Sequence, residues 1–331
     1  MVRLFSGGAI LKLALRDERP ILKAKLHQGC SMTKLKIAAM SIALLAASSA
    51  AGAAPDQIFR FKIGTLKAAA LSDGSISTPN DGKTFGLGRA PEEVAAVLEA
   101  ARLPSDHLDL AIQPLLVRSG TQILLFDTGA GRVEWADGGR LQASLRAAGV
   151  EPAQVTDIFI SHAHLDHVGG LVTPDGTLAF PAATIRMSEP EWASMQADAS
   201  LGALTRAVAP KVVAFDPGAA VLPGLVTAVA VNGHTPGHSA YEIASGADRL
   251  LYIGDSAHHS VISVQKPDWR IDYDVDAPKA EASRRALLQR VADHGLRLYA
   301  PHFPFPGLGR VKTQGEGFVW VPEYPASGLG R

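Results

Sequence analysis

Cysteine is almost missing: Cys30 stands alone among 331 residues. It lies in an N-terminal stretch set apart below, so the rest of the chain has no thiol and forms no disulfide, which suits export without requiring it. No Leu-Ala-Gly type lipobox precedes Cys30, which argues against lipid attachment. Net charge is missing too, with 32 Lys and Arg against 32 Asp and Glu. The chain has no Gly-x-Ser-x-Gly run, which removes the sequence mark of an elbow-type serine hydrolase. It has no repeat of solenoid length and no Gly/Ser linker, so one domain is expected. Hydrophobic residues make up 47% of the chain, enough for a substantial core.

The charge balance conceals an asymmetry. Residues 1–53 hold eight Lys and Arg against Asp17 and Glu18, which leaves 24 basic and 30 acidic residues beyond them, a net of about −6. A mildly acidic body does not suit a phosphate backbone, so no nucleic-acid partner is expected. Lys34 and Lys36 precede a short apolar run from Ile37 to Ala47, then small residues ending in Ala51-Gly52-Ala53. That is the layout of a secretory signal peptide, and the run is too short for a comfortable membrane span. Met32 stands just before it. Residues 1–31 therefore read as an upstream extension from a misassigned start, 32–53 as a signal peptide and 54–331 as a single domain. A periplasmic or secreted location is expected, with no stable membrane anchor after processing; an uncleaved membrane anchor is the alternative reading of the same run.

The densest chemistry lies at Ser161-His162-Ala163-His164-Leu165-Asp166-His167. Before it, Val155 to Ile160 is β-branched and aromatic and predicts a buried strand; after it, Gly169-Gly170 stop the pattern. Three imidazoles and a carboxylate on one loop at a strand end suit zinc and similar divalent ions. Four such groups cannot all reach one ion without strain, but they can divide between two. Strands are predicted over Ile58–Gly64, Leu66 to a turn at Asp73-Gly74, Ile112–Val117, Thr121–Asp127, Leu225–Val231, Tyr241–Ala244, Arg249–Ile253 and Leu296–Ala300. Thr78 to Gly88 reads as a loop. Helices are predicted from Pro91, over Leu141–Ala148, around Glu189–Met195 and over Pro278–His294 with Gly295 beyond.

His162-x-His164-x-Asp166-His167 resembles the signature of the metallo-β-lactamase superfamily, and that family's later stations follow in order. They are Gly233-His234-Thr235-Pro236-Gly237-His238, Tyr252-Ile253-Gly254-Asp255, and Pro301-His302 with Phe303-Pro304-Phe305-Pro306-Gly307 behind it. The final run and the exported layout look most like the methyl parathion hydrolase-like or lactonase-like branch. The resemblance implies an α/β fold, a four-layer αββα sandwich, with the metal site at one edge of two sheets. It implies that His162, His164 and His234 hold one metal, that Asp166, His167 and His302 hold the other, and that Asp255 bridges them. The resemblance thus makes Asp166 and Asp255 the expected catalytic carboxylates as well as ligands. On spacing alone either His234 or His238 could ligate; the family register assigns the ligand to His234 and a supporting role to His238. Asp127, at the end of its predicted strand, is either a turn carboxylate or an acceptor that orients the metal loop.

Two divalent ions are expected, zinc first and manganese, cobalt or iron as alternatives. Two such ions can share a water and lower its pKa enough to supply hydroxide near neutrality. The implied activity is hydrolysis of small neutral esters: a lactone, an aryl ester or an organophosphate triester. A glyoxalase-II-like thioesterase and a β-lactamase are the enzyme alternatives, and a periplasmic metal-binding protein is the non-enzyme one. The partner expected is a small-molecule substrate, and a homodimer is left open. Trp192, His258 and Tyr273 are candidate pocket residues. For Trp192 both a cleft and a core position are open, and His258 and His259 match no ligand station of the family. If residues 32–53 are a signal peptide, the intact mass of protein recovered from the cell envelope should correspond to a start near Ala54. Full-length protein in the cytosol would overturn both the compartment and the start-codon argument.

Overall fold

The structure is a computed structural model, and it describes residues 58–324. The upstream extension and the signal peptide lie outside the described residues. In the first part of the chain the strands are β1 (Ile58–Ile63), β2 (Leu66–Leu71), β3 (Gly74–Pro79), β4 (His107–Ile112), β5 (Leu115–Ser119), β6 (Gln122–Phe126), β7 (Asp157–Phe159), β8 (Thr184–Ser188) and β9 (Val212–Phe215). Between them run α1 (Pro91–Ala100), α2 (Leu141–Ala147), the single turn α3 (Leu165–Val168), α4 (Glu189–Ala197) and α5 (Gly202–Val208). Then come β10 (Val226–Ala230), β11 (Ser239–Ser245), β12 (Asp248–Tyr252), the short α6 (Ile262–Gln265), α7 (Ala277–His294), β13 (Arg297–Tyr299), β14 (Leu308–Gln314) and β15 (Gly317–Pro322).

Seven strands form one sheet in the order β1-β2-β5-β6-β7-β8-β9, and six form a second in the order β10 to β15. The first sheet is antiparallel up to β6 and parallel from β6 to β9. In the second, β12 and β13 are the one parallel pair. Alternation shows why these segments are strands: in β1, Phe61 and Ile63 are buried while Arg60 and Lys62 are exposed. The sheets meet face to face through Phe61, Ile63, Leu124, Phe126 and Phe159 of one and Tyr241, Ile243, Leu250, Tyr252 and Tyr299 of the other. Leu141, Leu145, Met195, Leu204 and Val208 of α2, α4 and α5 pack on the outer face of the first sheet. Leu287, Leu288 and Val291 of α7 cover the second. Four layers, αββα, result.

The helices end where local chemistry says they should. Pro91 opens α1, and the Glu93 side chain accepts from the Ala90 N–H at 3.2 Å. Asp276 caps α7 through the Lys279 N–H, and Gly295 closes it in the left-handed region at φ +57°. Two sequence readings need correction. The apolar run Ile112–Val117 is not one strand: Gln113-Pro114 turns a corner between β4 and β5, because Pro114 has no N–H to give a ladder. Part of the stretch read as the loop Thr78–Gly88 belongs to β3, which pairs with β4 in a small separate sheet. The sequence reading also holds no strand for β3, for β4 before Ile112, or for β8, β9, β14 and β15.

This topology brings the ligand-bearing turns to one rim, beyond the ends of β6, β7, β10, β12 and β13. One close approach there demands glycine. The segment after β6 clasps the metal loop: the N–H and Oγ1 of Thr128 both donate to the His167 carbonyl, at 2.7 and 2.8 Å. A Cβ on Gly170 would lie 2.0 Å from the Thr128 carbonyl oxygen. Gly170→Ala should therefore lower stability by about 1–3 kcal/mol in denaturant unfolding, the usual cost of overpacking. A variant within a few tenths of the parent would show that this approach is not needed.

Candidate metal centre

Two groups of donors converge at the rim: His162, His164, His234 and Asp255, and next to them Asp166, His167, His302 and Asp255. In the first, His162 Nε2, His164 Nδ1 and His234 Nε2 lie 3.0–3.1 Å from one another. Three ring nitrogens so close cannot all satisfy each other as hydrogen-bonding partners, and they are spaced as donors around a common ion are spaced. Burial lowers the pKa of each of these three rings, which keeps them neutral and leaves a lone pair free. In the second group, His167 Nε2 and His302 Nε2 are 3.2 Å apart, and Asp166 Oδ2 is 3.4 and 3.3 Å from them.

Asp255 faces both groups with different oxygens. Its Oδ2 is 3.7 Å from His162 Nε2 and 3.5 Å from His234 Nε2, while its Oδ1 is 3.1 Å from both His167 Nε2 and His302 Nε2. Oδ1 is fully buried and makes no hydrogen bond. Burial alone would raise the Asp255 carboxyl, but His167, His302 and the other rings around it hold it well below the usual carboxylate range. The converse holds for the rings: burial disfavours the charged form of His302, yet Asp255 and Asp166 push it up to about 10. A divalent ion at each group would satisfy the orphaned Asp255 oxygen and the clustered ring nitrogens, so the donor set fits a two-metal centre.

Three further buried carboxylates hold the donors in place. Asp127 accepts from Ser161 N–H (2.7 Å), Ser161 Oγ (2.6 Å) and Tyr252 Oη (2.7 Å), and its Oδ2 lies 2.7 Å from His167 Nδ1. It sits at φ +57°, a conformation few non-glycine residues adopt. Asp274 Oδ1 is 3.0 Å from His234 Nδ1. Burial raises the Asp274 carboxyl, but that bond and the positive charge nearby outweigh it and leave it lowered. Glu191 accepts from Ala163 N–H (2.7 Å), Thr235 Oγ1 (2.7 Å) and Gly237 N–H (3.0 Å), joining the two histidine loops. Its carboxyl is raised by burial, which these three bonds only partly offset. Sequence reading found Asp127 and missed Asp274 and Glu191. Neither carries a local signal beyond being an acid near a turn.

The histidines of Gly233–His238 separate clearly. His234 points at the first donor group, whereas His238 Nε2 accepts from the Asp255 N–H at 3.0 Å and its Nδ1 donates to the Val231 carbonyl at 3.2 Å. His302 Nδ1 donates to the Ala111 carbonyl at 2.6 Å, which turns Nε2 toward the centre.

A cavity of about 730 Å³ opens over both groups. His258 and Tyr273 line it, together with Ile76, Leu110, Trp135 and Leu201. Trp192 does not: on α4 it lies three residues before Met195, and it packs with that side chain against the core on the first sheet. That is a correction to its reading as a pocket residue. Phe215 and Trp269 likewise pack in apolar clusters. Asp198 and Asp272 also line the cavity, and among the described residues no Lys or Arg does.

The geometry predicts different losses at the paired histidines. His234→Ala should lose one metal equivalent, because a donor disappears. His238→Ala should keep both metal equivalents at an affinity cost of about 10–100-fold, since it only supports the turn carrying Asp255. Metal analysis after dialysis measures both, and the reverse order would mean the ligand is misassigned.

The sequence profile of the metallo-β-lactamase superfamily matches residues 110–302, from β4 to the last histidine of the centre. The sequence has no significant match among curated proteins. Among solved structures it is similar to AidC, a dizinc quorum-quenching lactonase, with 33% identity over 81% of this chain and 99% of that one and a TM-score of 0.75. It is also similar to the hydrolase AbOPH of the β-lactamase superfamily, with 27% identity, 81% and 98% coverage and a TM-score of 0.74. A probable metal-dependent hydrolase from Staphylococcus aureus shares the fold at 19% identity, 80% and 99% coverage and a TM-score of 0.65. With the four-layer fold, the paired donor groups and these matches in agreement, the chain belongs to the metallo-β-lactamase superfamily and is a hydrolase of that fold.

Proposed function

We propose that this hydrolase is a dinuclear zinc enzyme that opens neutral lactones, acyl homoserine lactones among them. The observation that carries the reading is the cavity wall. It offers Ile76, Leu110, Leu165 and Leu201 to an apolar arm and no Lys or Arg, among the described residues, to an anionic one. β-Lactams and glutathione thioesters bring carboxylates that want a cation to meet them, and this wall gives them Asp198 and Asp272. The 33% identity to a dizinc lactonase supports the same class. Zinc is supported by the same relative and by the imidazole-rich first group. Neutral aryl esters and phosphotriesters meet the same charge criterion and rank behind lactones. Export to the periplasm or medium is part of the proposal and rests on the Lys34–Ala53 pattern alone. A small neutral molecule is the only partner it requires.

His162, His164 and His234 would hold one ion, and Asp166, His167 and His302 the other, with one Asp255 oxygen turned to each. A pair of divalent ions supplies Lewis acidity and an activated water. The chain supplies the rest. Asp127 and Asp274 fix the His167 and His234 rings by taking their Nδ1 protons as hydrogen bonds. Tyr273 Oη lies on the wall 3.3 Å from Thr78 Oγ1, and burial raises its pKa, so it keeps its proton and can donate to a substrate oxygen. Ring opening creates a carboxylate, and the wall carboxylates at Asp198 and Asp272 then favour its departure.

The zinc-loaded enzyme should show its highest kcat/KM on uncharged lactones within a panel of lactones, aryl esters, phosphotriesters, β-lactams and a glutathione thioester. Asp255→Asn should fold, hold fewer than two zinc ions and lose several orders of magnitude in turnover, because a neutral amide is a poor bridge. A preference for β-lactams or for the thioester would sink the reading.

A further inference from the structure

Arg284 is the largest fully buried side chain among the described residues, at 1% exposure. It reaches inward from α7, and its guanidinium makes four bonds. Nε donates to the Ser256 carbonyl (3.0 Å), Nη1 to the carbonyls of Pro267 (2.8 Å) and Trp269 (3.3 Å), and Nη2 to Asp274 Oδ2 (2.6 Å). Every acceptor lies between residues 256 and 274. That segment starts directly after Asp255, carries His258, Asp272 and Tyr273 on the cavity wall, and ends at the carboxylate that holds His234. Its continuation is stitched to the His234 loop, with Val275 N–H on the His234 carbonyl (3.1 Å) and Asp276 N–H on the Gly233 carbonyl (2.9 Å).

We propose that Arg284 is the positioning residue that couples ligation at the first metal group to the order of the cavity wall formed by residues 256–274. One planar cation grips both ends of the excursion. It fixes the carbonyl next to Asp255 at one end and, through Asp274, the His234 ring at the other. A lysine could keep the charge on Asp274, but its single nitrogen cannot span the carbonyls of Ser256, Pro267 and Trp269. Ion binding at His234 then tightens Asp274 against Arg284, and the wall that selects the substrate is ordered with it. The inference rests on the metal centre and not on the substrate class, so it can fail while the lactonase reading stands, and the reverse.

The test uses full-length protein and no substrate. Zinc affinity is read by competition with a chelator, and the order of residues 256–274 by hydrogen exchange with and without zinc. In the parent, zinc should slow exchange across 256–274. Arg284→Met should bind one of its two zinc ions about 10–100-fold more weakly, the usual loss for an outer support, and zinc should no longer slow exchange in that segment. Arg284→Lys should recover part of the affinity and little of the exchange protection. Asp274→Asn breaks the same link at its other end, so Arg284→Lys combined with Asp274→Asn should cost less than the two single losses together. If Arg284→Met does not fold, these two variants decide the matter. Native affinity at both sites with zinc-dependent protection intact would overturn the proposal. So would strict additivity of Arg284→Lys and Asp274→Asn.

Discussion

Asp127 carries the constraint on which the rest of the centre depends. Its carboxylate is 2% exposed, and its bonds reach the turn after β7 at Ser161, the His167 ring on α3, and Tyr252 at the end of β12 in the other sheet. One buried charge thereby registers the two sheets against each other where the ligands emerge. A carboxylate in such a place is tolerated only when its oxygens are filled by donors, and leaving even one buried donor unmet costs about 1–3 kcal/mol. The left-handed backbone at Asp127 is the strain accepted to aim it there.

The same device recurs twice around the centre. Glu191 joins the loop of His162 and His164 to the loop of His234, and Asp274 joins His234 to α7 through Arg284. Each donor group is therefore held from behind by an acid on a different element. Packed sheets make this precise, because β6, β7, β12 and β13 are buried strands whose ends cannot drift independently. Asp255 profits most. His238 holds its backbone N–H and leaves both carboxylate oxygens free to face the two groups.

Charge divides the centre from its approach. Around the donors, carboxylates and imidazoles balance each other closely enough to shift one another's pKa in opposite directions, as Asp255 and His302 show. On the wall above, acids stand among apolar and neutral polar side chains, with no Lys or Arg among the described residues. An approach of this charge suits the neutral ester of the proposed function and disfavours the anion that its hydrolysis would leave.

Some of this was legible in the sequence because it is local. The His162–His167 run places four donors in one short stretch whatever the rest of the chain does, and Pro91 and Gly295 mark helix ends through local chemistry. A largely apolar run, by contrast, hid the corner at Gln113-Pro114, since reading it for hydrophobicity overlooks the missing proline N–H. What only the tertiary structure decided are the contacts between distant residues. The choice between His234 and His238 follows from which ring the turn aims at His162, 72 residues away, and His234 meets Asp274 at a separation of 40. Trp192 faces the core because α4 packs that side onto the first sheet. The sequence by itself determined which ligand atoms and which helix signals the chain possesses. Packing of two sheets decided which of those atoms meet, because a buried acid can choose its partners only after distant strands have been brought together.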